Sequence, residues 1–195
     1  MKFSVNREAL LRPLQQVAGA VERRQTLPIL SNVLLDVDAG QLSLVGTDLE
    51  VQLLGRVAVS EGEGGRITVP GRKLMDIVRQ LPERAEVHAE LEGSSLAVRS
   101  GTFNSALSTL GAEDFPTVEK SVGEVSFKID SKALKQVLDK TAFAMAQQDV
   151  RFFLNGMLIE ISEGFLRAVA TDGHRLALNG LTGVGASTDK QVILP

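Results

Sequence analysis

The sequence predicts an α+β fold, in which helices pack against sheets that are polar on their other face. Two observations carry this prediction. The first is an internal repeat at a fixed offset of 124 residues, and the second is a strand–helix–three-strand pattern of hydrophobic periodicity within each copy. The composition suits a folded chain with a sizeable core, since 44% of the 195 residues are hydrophobic and 23% are charged.

The internal repeat aligns hydrophobic residues, turn glycines and a Thr-Asp pair without a gap. Matching pairs are Phe3 and Phe127, Leu10 and Leu134, Leu14 and Leu138, Leu30 and Leu154, Gly40 and Gly164, and Thr47-Asp48 and Thr171-Asp172. Solenoid units span about 20 to 50 residues, so this longer repeat predicts two related domains. The first is expected over residues 1–120. Residues 121–195 are expected to form the first half of a second, incomplete domain, because their final Val-Ile-Leu-Pro resembles the mid-domain phrase at 67–70.

Three segments have the apolar spacing of an amphipathic helix. They are 6–24, 71–81 and 130–146, with stripes of Leu10, Leu14, Val17 and Val21, of Leu74, Ile77, Val78 and Leu81, and of Leu134, Leu138, Thr141 and Met145. Asn6 and Ser131 are expected to cap the first and third helices, because short polar side chains accept hydrogen bonds from the free N–H groups there. Pro13 lacks an N–H group, so we expect a kink in the first helix or a helix that tolerates it.

Alternating hydrophobic and polar residues between turn signals predict the strands. The strands are expected at 2–5, 32–38, 41–47, 49–59, 66–70, 85–91, 95–100 and 103–110 in the first copy, and at 125–129, 155–161, 164–170 and 174–180 in the second. Ala39-Gly40 and Glu163-Gly164 supply equivalent turns between neighbouring strands. The glycine-rich residues 62–65 are not expected to bind phosphate, since the acidic Glu63 within them would repel it. They predict a flexible loop tip instead.

The three helical segments are basic, although the formal net charge of the chain is −3. They hold ten of the 21 Lys and Arg residues and five of the 24 Asp and Glu residues, so they carry +5 and the rest of the chain carries −8. Two interpretations remain open: a surface made for a polyanion, or solvated faces of helices that accommodate Lys and Arg well. The polar residues opposite the apolar stripes of the first and third helices are Arg12, Gln15, Gln16, Gly19, Lys132, Lys135, Gln136 and Lys140. Phe143 is an apolar exception on the outer side of the third helix.

The composition excludes several classes of protein and site. The chain has no cysteine, which rules out disulfide scaffolds, thiolate zinc sites and cysteine nucleophiles, and is compatible with a reducing cytoplasm. Its two histidines, His88 and His174, leave little material for a His-based metal site. We expect no membrane span, since no apolar run approaches the required ~18 residues. We also expect no signal peptide, since residues 1–5 lead directly into a polar helix pattern. The phosphate-loop, dinucleotide-binding and Gly-x-Ser-x-Gly motifs do not occur in the sequence.

A Thr-Asp-Gly-His-Arg segment at 171–175 has the residue types of an Asp/His catalytic pair. Its partner in the first copy, Thr-Asp-Leu-Glu-Val at 47–51, contains no histidine. The shared Thr-Asp pair therefore predicts a turn in both copies rather than catalysis by His174. His88, in an alternating strand, is expected at the surface.

Long motifs throughout the chain resemble the bacterial DNA polymerase III beta subunit family, the sliding clamps. The motifs lie at 27–30, 46–50, 107–110, 114–116, 148–156 and 170–176. The resemblance implies the DNA-clamp fold, with helices on one side of curved antiparallel sheets and three domains per chain. Two such chains close head to tail around duplex DNA. It also implies a cytoplasmic, non-catalytic processivity subunit that needs no cofactor or metal, and that tethers DNA polymerase III, clamp-loader subunits and other motif-bearing proteins.

The resemblance assigns two sets of site residues. The positions that contact DNA in the family correspond to Arg24, Arg72, Gln148, Phe152 and Phe153. The last two are usually tyrosines in the family, so ring contacts could remain here without the hydroxyl contacts. The share of the family's peptide-binding pocket that falls within this chain comprises Arg151, Leu154, Thr171, Gly173, His174, Arg175 and Leu176. The residues alone would predict a buried turn and strand at these positions.

The sequence departs from the family in two respects. The third domain and half of the second are missing, and the edge strand at 101–106 lacks the basic, aromatic residues that commonly meet the partner subunit. We therefore expect no stable two-chain ring from this chain alone, whether it is a fragment or an altered variant. The alternative function is a clamp-derived interaction module that binds a protein partner without encircling DNA.

Overall fold

The structure, a computed structural model, describes residues 1–21, 27–116, 126–185 and 189–195. The chain forms two compact units, Met1–Glu119 (unit 1) and Lys120–Pro195 (unit 2). Both units combine antiparallel sheets with short helices, as the predicted α+β class requires. No helix within the described ranges is both long and apolar enough to cross a membrane.

Unit 1 contains two antiparallel sheets and two α-helices. Its elements are β1 (Lys2–Asn6), α1 (Arg7–Val17), β2 (Asn32–Asp38), β3 (Gln41–Thr47), β4 (Gln52–Ala58), β5 (Ser60–Glu63), β6 (Gly65–Pro70), α2 (Gly71–Gln80), β7 (Glu86–Glu92), β8 (Ser95–Ser100) and β9 (Phe103–Ser108). The strand orders are β5-β1-β7-β8-β9 and β4-β3-β2-β6. Strands β2 and β3 have the predicted bounds. Strand β4 begins later than predicted, because the Thr-Asp turn occupies the residues before it.

The core of unit 1 shows a second, shorter repeat. The buried residues of β1 and α1 recur 64 positions later in and just after β6 and α2. The first set is Phe3, Val5, Leu10, Leu14 and Val17, and the second is Ile67, Val69, Leu74, Val78 and Leu81. Both sets belong to one cluster of buried side chains, so the two half-units build one continuous core from equivalent residues. Burying each such side chain fully stabilises the fold by about 1.5–3 kcal/mol.

Helix α1 tolerates its internal proline. Asn6 caps the helix as predicted, with its side chain accepting a hydrogen bond from the N–H of Glu8. Pro13 is buried and packs on β4 at Gly55, where a Cβ atom would lie 2.6 Å from the Pro13 Cβ. The α-helix ends at Val17 and is followed by a 3₁₀ turn, Ala18–Ala20, so it is shorter than the predicted 6–24.

Two arginines tie α1 and α2 together in opposite directions. Arg7, at the start of α1, donates to the carbonyls of Val78 and Arg79 at the end of α2, at 3.0 and 2.8 Å. Arg72, at the start of α2, donates from Nη2 to the carbonyl of Val21 at 3.0 Å. The helices are therefore antiparallel neighbours. Arg7 satisfies carbonyl groups in the last turn of α2, which lack partners within the helix, and Arg72 satisfies the carbonyl of Val21 after the 3₁₀ turn that follows α1.

Unit 2 contains one helix and one sheet. Its elements are α3 (Ser131–Asp139), β10 (Met157–Ser162), β11 (Phe165–Thr171), β12 (Leu176–Thr182) and β13 (Lys190–Leu194), with strand order β12-β11-β10-β13. The core comprises Val137, Ala144, Met157, Ile159, Ile161, Leu166, Ala168, Ala170, Ala177 and Val184. Strands β10 to β12 begin one or two residues later than predicted, since residues 152–155 form a 3₁₀ turn and 172–175 a tight turn.

The prediction of a strand at 125–129 is wrong. Residues 126–130 have no regular secondary structure, and residue 125 lies outside the described ranges. The equivalent strand β1 pairs with β5 and β7. None of the described strands of unit 2 pairs with residues 126–130, so this segment has the hydrophobic pattern of a strand without the two neighbours that complete the hydrogen bonds of β1.

The cap of α3 is Asp130 rather than the predicted Ser131. Its carboxylate accepts hydrogen bonds from the N–H groups of Lys132 and Ala133, at 3.0 and 2.9 Å. Asp130 is the position 124 residues after Asn6, so the internal repeat identifies the cap better than the residue preference does. The fully buried residue of α3 is Val137, which the predicted stripe omitted, while Leu134 and Leu138 are half-buried.

The predicted flexible loop at 62–65 is also wrong, because these residues belong to β5 and β6 or link them. Gly65 is the first residue of β6 and pairs with Val37 on β2, and β5 pairs with β1 at the sheet edge. Strand β13 was likewise not predicted as a strand. Its pairing with β10 is shifted by one residue relative to the 124-residue offset. Thr68 pairs with Leu34 in unit 1, and in unit 2 the residue paired with Leu158 is Ile193 rather than Val192.

Candidate functional site

The Thr-Asp pairs form the same hydrogen-bonded turn in both units. In unit 1, Asp48 accepts from the N–H groups of Glu50 and Val51, at 3.0 and 2.7 Å. In unit 2, Asp172 accepts from the N–H groups of His174 and Arg175, both at 2.9 Å. The hydroxyl of each threonine donates to the carbonyl four residues later. The turn predicted from the shared pair is therefore present. In unit 2 it fixes the backbone positions of His174 and Arg175.

The third residue of each turn has a left-handed backbone. Gly173 has φ +88° and its counterpart Leu49 has φ +80°. Glycine adopts this conformation without steric cost, whereas leucine does so under strain. In unit 2 the missing Cβ also leaves room for a neighbour, because a Cβ atom at Gly173 would lie 3.3 Å from Nη2 of Arg151.

A second turn, at residues 149–155, approaches the first in unit 2. Arg151 donates to Asp149 from Nε and Nη2, at 3.0 and 2.9 Å, and from its backbone N–H at 2.8 Å. Asn155 exchanges two hydrogen bonds with the backbone of Asp149. Further along, the N–H of Ala146 donates to the carbonyl of Leu154 at 2.9 Å. This network holds the Arg151 guanidinium close to the turn that contains Gly173.

A cavity of about 640 Å³ lies between these two turns and the segment after α3. Its lining residues are Ala142, Phe143, Met145, Ala146, Gln147, Gln148, Asp149, Arg151, Asp172, His174 and Arg175. The Arg175 guanidinium lies 5.7 Å from the ring centroid of Phe143, a distance at which a cation is attracted to the ring face. This contact explains the exposed Phe143, whose role the sequence pattern left open.

Two aspartates in the cavity wall are strongly acidic. The pKa of Asp149 is lowered to about 2, chiefly because Arg151 donates side-chain hydrogen bonds to it and secondly through the backbone N–H of the same residue. The pKa of Asp172 is lowered to about 2 by the backbone N–H groups of Arg175 and His174 and, more weakly, by the Arg175 side chain. Both carboxylates are therefore ionised acceptors that organise the turns, and neither is suited to act as a general acid.

The structure brings together most of the residues predicted for peptide binding. Arg151, His174 and Arg175 line the cavity, and Thr171 and Gly173 form the turn below them. Leu154 is half-buried in the adjoining 3₁₀ turn, and Leu176 is 65% exposed at the start of β12. Sequence analysis predicted the turn of Asp172 from the shared Thr-Asp pair but missed Asp149 and Asn155 as organisers of the site. The Asp-x-Arg spacing at 149–151 was a local signal for the role of Asp149.

The residues predicted to contact DNA are distributed differently. Gln148 lines the same cavity from a left-handed backbone position, φ +58°. Phe152 and Phe153 are 81% and 50% exposed and form an edge-to-face pair with ring centroids 6.1 Å apart. Arg72 lies in unit 1, where it is half-buried against Val21, and its buried Nε has no hydrogen-bond partner. Arg24 lies outside the described residues.

Among the described residues, five exposed cations in or beside the helices have no carboxylate within ion-pair distance. They are Arg12, Lys73, Arg79, Lys132 and Lys140. Of the other basic residues predicted on the helices, Arg7 and Arg72 donate to backbone carbonyls, and Lys135 pairs with Asp139 at 2.5 Å. By contrast, sheet cations such as Arg66 and Arg99 are paired with acids. Arg56 on β4, Arg84 and Lys128 also lack a carboxylate partner, so five of the eight described cations without a carboxylate or carbonyl partner lie in or beside the helices.

The described residues contain no group of three or more His, Asp or Glu side chains placed to hold a metal ion. His88 accepts or donates a hydrogen bond at 2.7 Å with Ser4 on the neighbouring strand, and its side chain is half exposed. His174 contributes its backbone N–H to the turn of Asp172.

Comparisons with known proteins place the whole chain in one family. A model described as "DNA polymerase III beta subunit, N-terminal domain" matches residues 1–119, and one described as the central domain of the same subunit matches residues 128–195. The beta sliding clamp of Pseudomonas aeruginosa is 56% identical over 197 residues, and that of Escherichia coli K12 is 50% identical over 196. Both alignments cover 100% of this chain and 54% of the relative.

Solved structures confirm the clamp fold. The DNA polymerase III subunit beta from Pseudomonas aeruginosa superposes with a TM-score of 0.93 at 53% identity, over 100% of this chain and 53% of that one. The pol III beta of Caulobacter crescentus superposes with a TM-score of 0.92 at 38% identity, over 100% and 54% of the two chains. The chain thus spans about half the length of the relatives it matches.

Proposed function

Since the chain belongs to the DNA polymerase III beta subunit family, the beta sliding clamps, we propose that it is part of a processivity factor that holds duplex DNA and tethers replication enzymes. In this proposal, unit 1 is the first clamp domain and unit 2 is the first half of the second. The protein acts in the cytoplasm, where the chromosome and DNA polymerase III meet in a bacterium, and it catalyses no reaction itself.

The observation that carries the DNA-holding proposal is the set of exposed helix cations without acidic partners. Arg12, Lys73, Arg79, Lys132 and Lys140 are free to neutralise phosphates, because no carboxylate in the described chain competes for them. Contacts to phosphates position a protein on DNA but carry no sequence information. A clamp that slides needs this kind of attraction, since a preference for particular bases would make it stop.

The DNA proposal is tested on two duplexes of equal length and unrelated sequence. We expect equal affinities, and a logarithm of the binding constant that falls linearly with the logarithm of the salt concentration. A clear preference for one duplex, or affinity that salt does not change, would refute the proposed role of the helix cations.

We propose further contacts to DNA from Gln148, Phe152 and Phe153, and from Arg24 and Arg72. The two phenylalanine rings project far enough to contact sugars or bases, and they have no hydroxyl with which to hydrogen-bond a phosphate. Their contribution should therefore be insensitive to salt. Replacing both rings by alanine should weaken binding while leaving the salt slope unchanged, which distinguishes these contacts from those of the lysines.

The cavity in unit 2 supports the tethering proposal. Its lining combines apolar surface from Phe143 and Met145 with polar groups from Arg151, His174 and Arg175, and these groups are held in place by the two aspartate turns. Such a mixture suits a short peptide with hydrophobic anchors and polar ends. The same observation supports the second candidate function, a clamp-derived module that binds a protein partner without encircling DNA.

The tethering proposal is tested by titrating a clamp-binding peptide calorimetrically against this chain and against the full-length Pseudomonas aeruginosa relative. Peptide anchors bind tightly only where they are enclosed on all sides. This chain should therefore bind the peptide more weakly, by about 2 kcal/mol or more, the size of one lost hot spot. Equal affinities would show that the unit 2 wall is sufficient alone and that the pocket is not divided between domains.

A further inference from the structure

An exposed phenylalanine and an arginine of unit 2 form a pair that unit 1 lacks. Phe143 is the middle residue of the 3₁₀ turn Ala142–Ala144 and is 60% exposed, whereas the residue that follows it is fully buried. The Arg175 guanidinium lies 5.7 Å from the centroid of the Phe143 ring. A guanidinium over a ring face is attracted to it, so this aromatic surface holds a cation instead of filling the core.

The internal repeat shows that the fold needs neither residue of the pair. The counterpart of Phe143, 124 positions earlier, is Gly19, the middle residue of the equivalent 3₁₀ turn Ala18–Ala20. The counterpart of Arg175 is Val51, in the equivalent Thr-Asp turn. Unit 1 therefore forms both turns without the ring and without the cation. A role at the surface of unit 2 accounts for the pair better than a role in folding.

The hydrogen bonds of Arg175 leave most of its guanidinium free in the described part of the chain. A guanidinium has five N–H bonds. Arg175 uses the one on Nε, which donates to Oδ2 of Asp172 at 2.9 Å, and no described residue accepts from Nη1 or Nη2. Arg151, in the same cavity wall, is instead bound to Asp149 through both Nε and Nη2. The free fork therefore belongs to Arg175, which Asp172 and the Phe143 ring hold in place.

The charges around this fork favour a single carboxylate over a polyanion. Two arginines and two ionised aspartates line the cavity, so their formal charges balance. A polyanion is attracted by the field of many uncompensated cations, whereas a carboxylate fits the planar fork of one arginine through two parallel hydrogen bonds. Phe143 and Met145 add apolar surface to the same cavity, which suits the hydrophobic residues beside a carboxylate in a peptide.

We propose that the free Nη1–Nη2 fork of Arg175 is a carboxylate subsite of the unit 2 cavity and that Phe143 is its positioning residue. The subsite selects peptides that carry a carboxylate beside their hydrophobic anchors, either at the C-terminus or on an Asp or Glu side chain. Phe143 acts through Arg175, because its ring keeps the guanidinium over the cavity. The inference rests on the proposed tethering function and names the chemistry that the cavity distinguishes.

The probes are three forms of one peptide, acetyl-Leu-Ala-Leu-Phe. The first form ends in a free carboxylate, the second is the C-terminal amide, and the third is the amide with the alanine replaced by aspartate. Calorimetric titration of the whole chain at pH 8, where histidine side chains are ordinarily neutral, compares their affinities. We expect a carboxylate form to bind about tenfold more tightly than the neutral amide, since hydrogen bonds to charged groups are the stronger ones. The form that gains affinity identifies the carboxylate as terminal or as a side chain.

Three protein variants separate positioning from packing. Phe143→Ala should reduce the ratio of carboxylate to amide affinity by about threefold, the effect of losing a cation–π contact at an exposed site. This ratio cancels the apolar contacts that the ring makes with every form. Phe143→Trp should keep the wild-type ratio, and its fluorescence reports directly on the cavity because the chain has no Trp or Tyr of its own. Phe103→Ala, which removes an exposed ring from unit 1, is the matched control and should change nothing.

The outcomes separate the subsite from the tethering function on which it rests. If no form of the peptide binds, both are overturned. If all three forms bind equally well, the cavity binds peptides but the carboxylate subsite is overturned. If Phe143→Ala, shown to be folded by circular dichroism, weakens every form by the same factor, the ring only lines the cavity and its positioning role is overturned. If that variant instead lowers the salt slope of duplex binding and keeps the peptide ratio, the fork binds a DNA phosphate and the proposal is wrong.

Discussion

Gly173 holds the unit 2 turn in a conformation that its unit 1 counterpart, Leu49, adopts only under strain. We expect Gly173→Ala to lower the free energy of unfolding by about 1 kcal/mol or more, because alanine disfavours φ +88° and its Cβ would press on the Arg151 guanidinium. Leu49→Gly is the matched control. It removes the same kind of strain from unit 1 and should cost no stability. Urea unfolding measures the free energy of unfolding of both variants. An unchanged free energy of unfolding in Gly173→Ala would contradict the turn geometry.

Asp149 and Asp172 make the stability of the turns depend on acid. An aspartate in an unfolded chain has a pKa of about 3.9, and both residues have a pKa of about 2 here. Their stabilising contribution is therefore complete above pH ~4 and is lost as the pH falls toward 2. Urea midpoints at pH 5 and pH 2.5 should differ more for the wild type than for the Asp149→Asn, Asp172→Asn double variant. An equal loss in both proteins would place the acid sensitivity elsewhere.

At the level of single residues, sequence analysis succeeded where a bond joins near neighbours. The Thr-Asp turns were predictable because each aspartate bonds to the N–H groups two and three residues later. The contact of Arg175 with Phe143 was not, since it joins residues 32 positions apart whose approach depends on the packing of the segment after α3. The position of Gln148 was equally hidden, because nothing in its identity predicts a left-handed backbone.

Arg72 and Lys73 are neighbours on α2 with different roles in the fold. Arg72 is half-buried and bonds to the Val21 carbonyl, whereas Lys73 is exposed. We expect Arg72→Ala to lower the free energy of unfolding by about 1.5 kcal/mol, the contribution of a hydrogen bond from a charged donor. Lys73→Ala should stay within about 0.5 kcal/mol of the wild type. Chemical denaturation of the pair measures this, and equal stabilities would mean that the tie between α1 and α2 contributes nothing.

Elements whose partners lie nearby in the sequence were predicted well. Strands β2 and β3 have the expected bounds because a hairpin carries its pattern and its turn together. The strand at 125–129 fails for the opposite reason, since β1 owes its hydrogen bonds to β5 and β7, which follow it by more than 50 residues. Strand β5, four exposed residues at a sheet edge, has no hydrophobic alternation from which it could be predicted.

For the whole molecule, the strand–helix–three-strand pattern predicted the fold class and the 124-residue repeat predicted two related units, because equivalent residues build equivalent cores in both. The charge segregation was predicted from composition, but only the structure separates free from bonded cations. Arg7 and Lys135 are engaged within the protein, and so the net charge of the helices overstates what is available to a polyanion. Arg72 uses Nη2 for the Val21 carbonyl, which leaves the rest of its guanidinium for the proposed contact with DNA.

The central claim is that unpaired helix cations hold DNA through its phosphates. The most direct test measures duplex binding at several salt concentrations and takes the slope of the logarithm of the binding constant against the logarithm of the salt concentration. The variant tested is a triple variant that carries Lys73→Ala, Lys132→Ala and Lys140→Ala. The matched control, Lys2→Ala, Arg66→Ala, Arg99→Ala, removes the same charge from cations that are paired with acids on the sheets. Each lost phosphate contact should lower the slope by about 0.9, so the helix variant should lose about 2.7 while the control keeps the wild-type slope. Equal slopes in the two triple variants would contradict the account, because net charge rather than the helix faces would then govern binding.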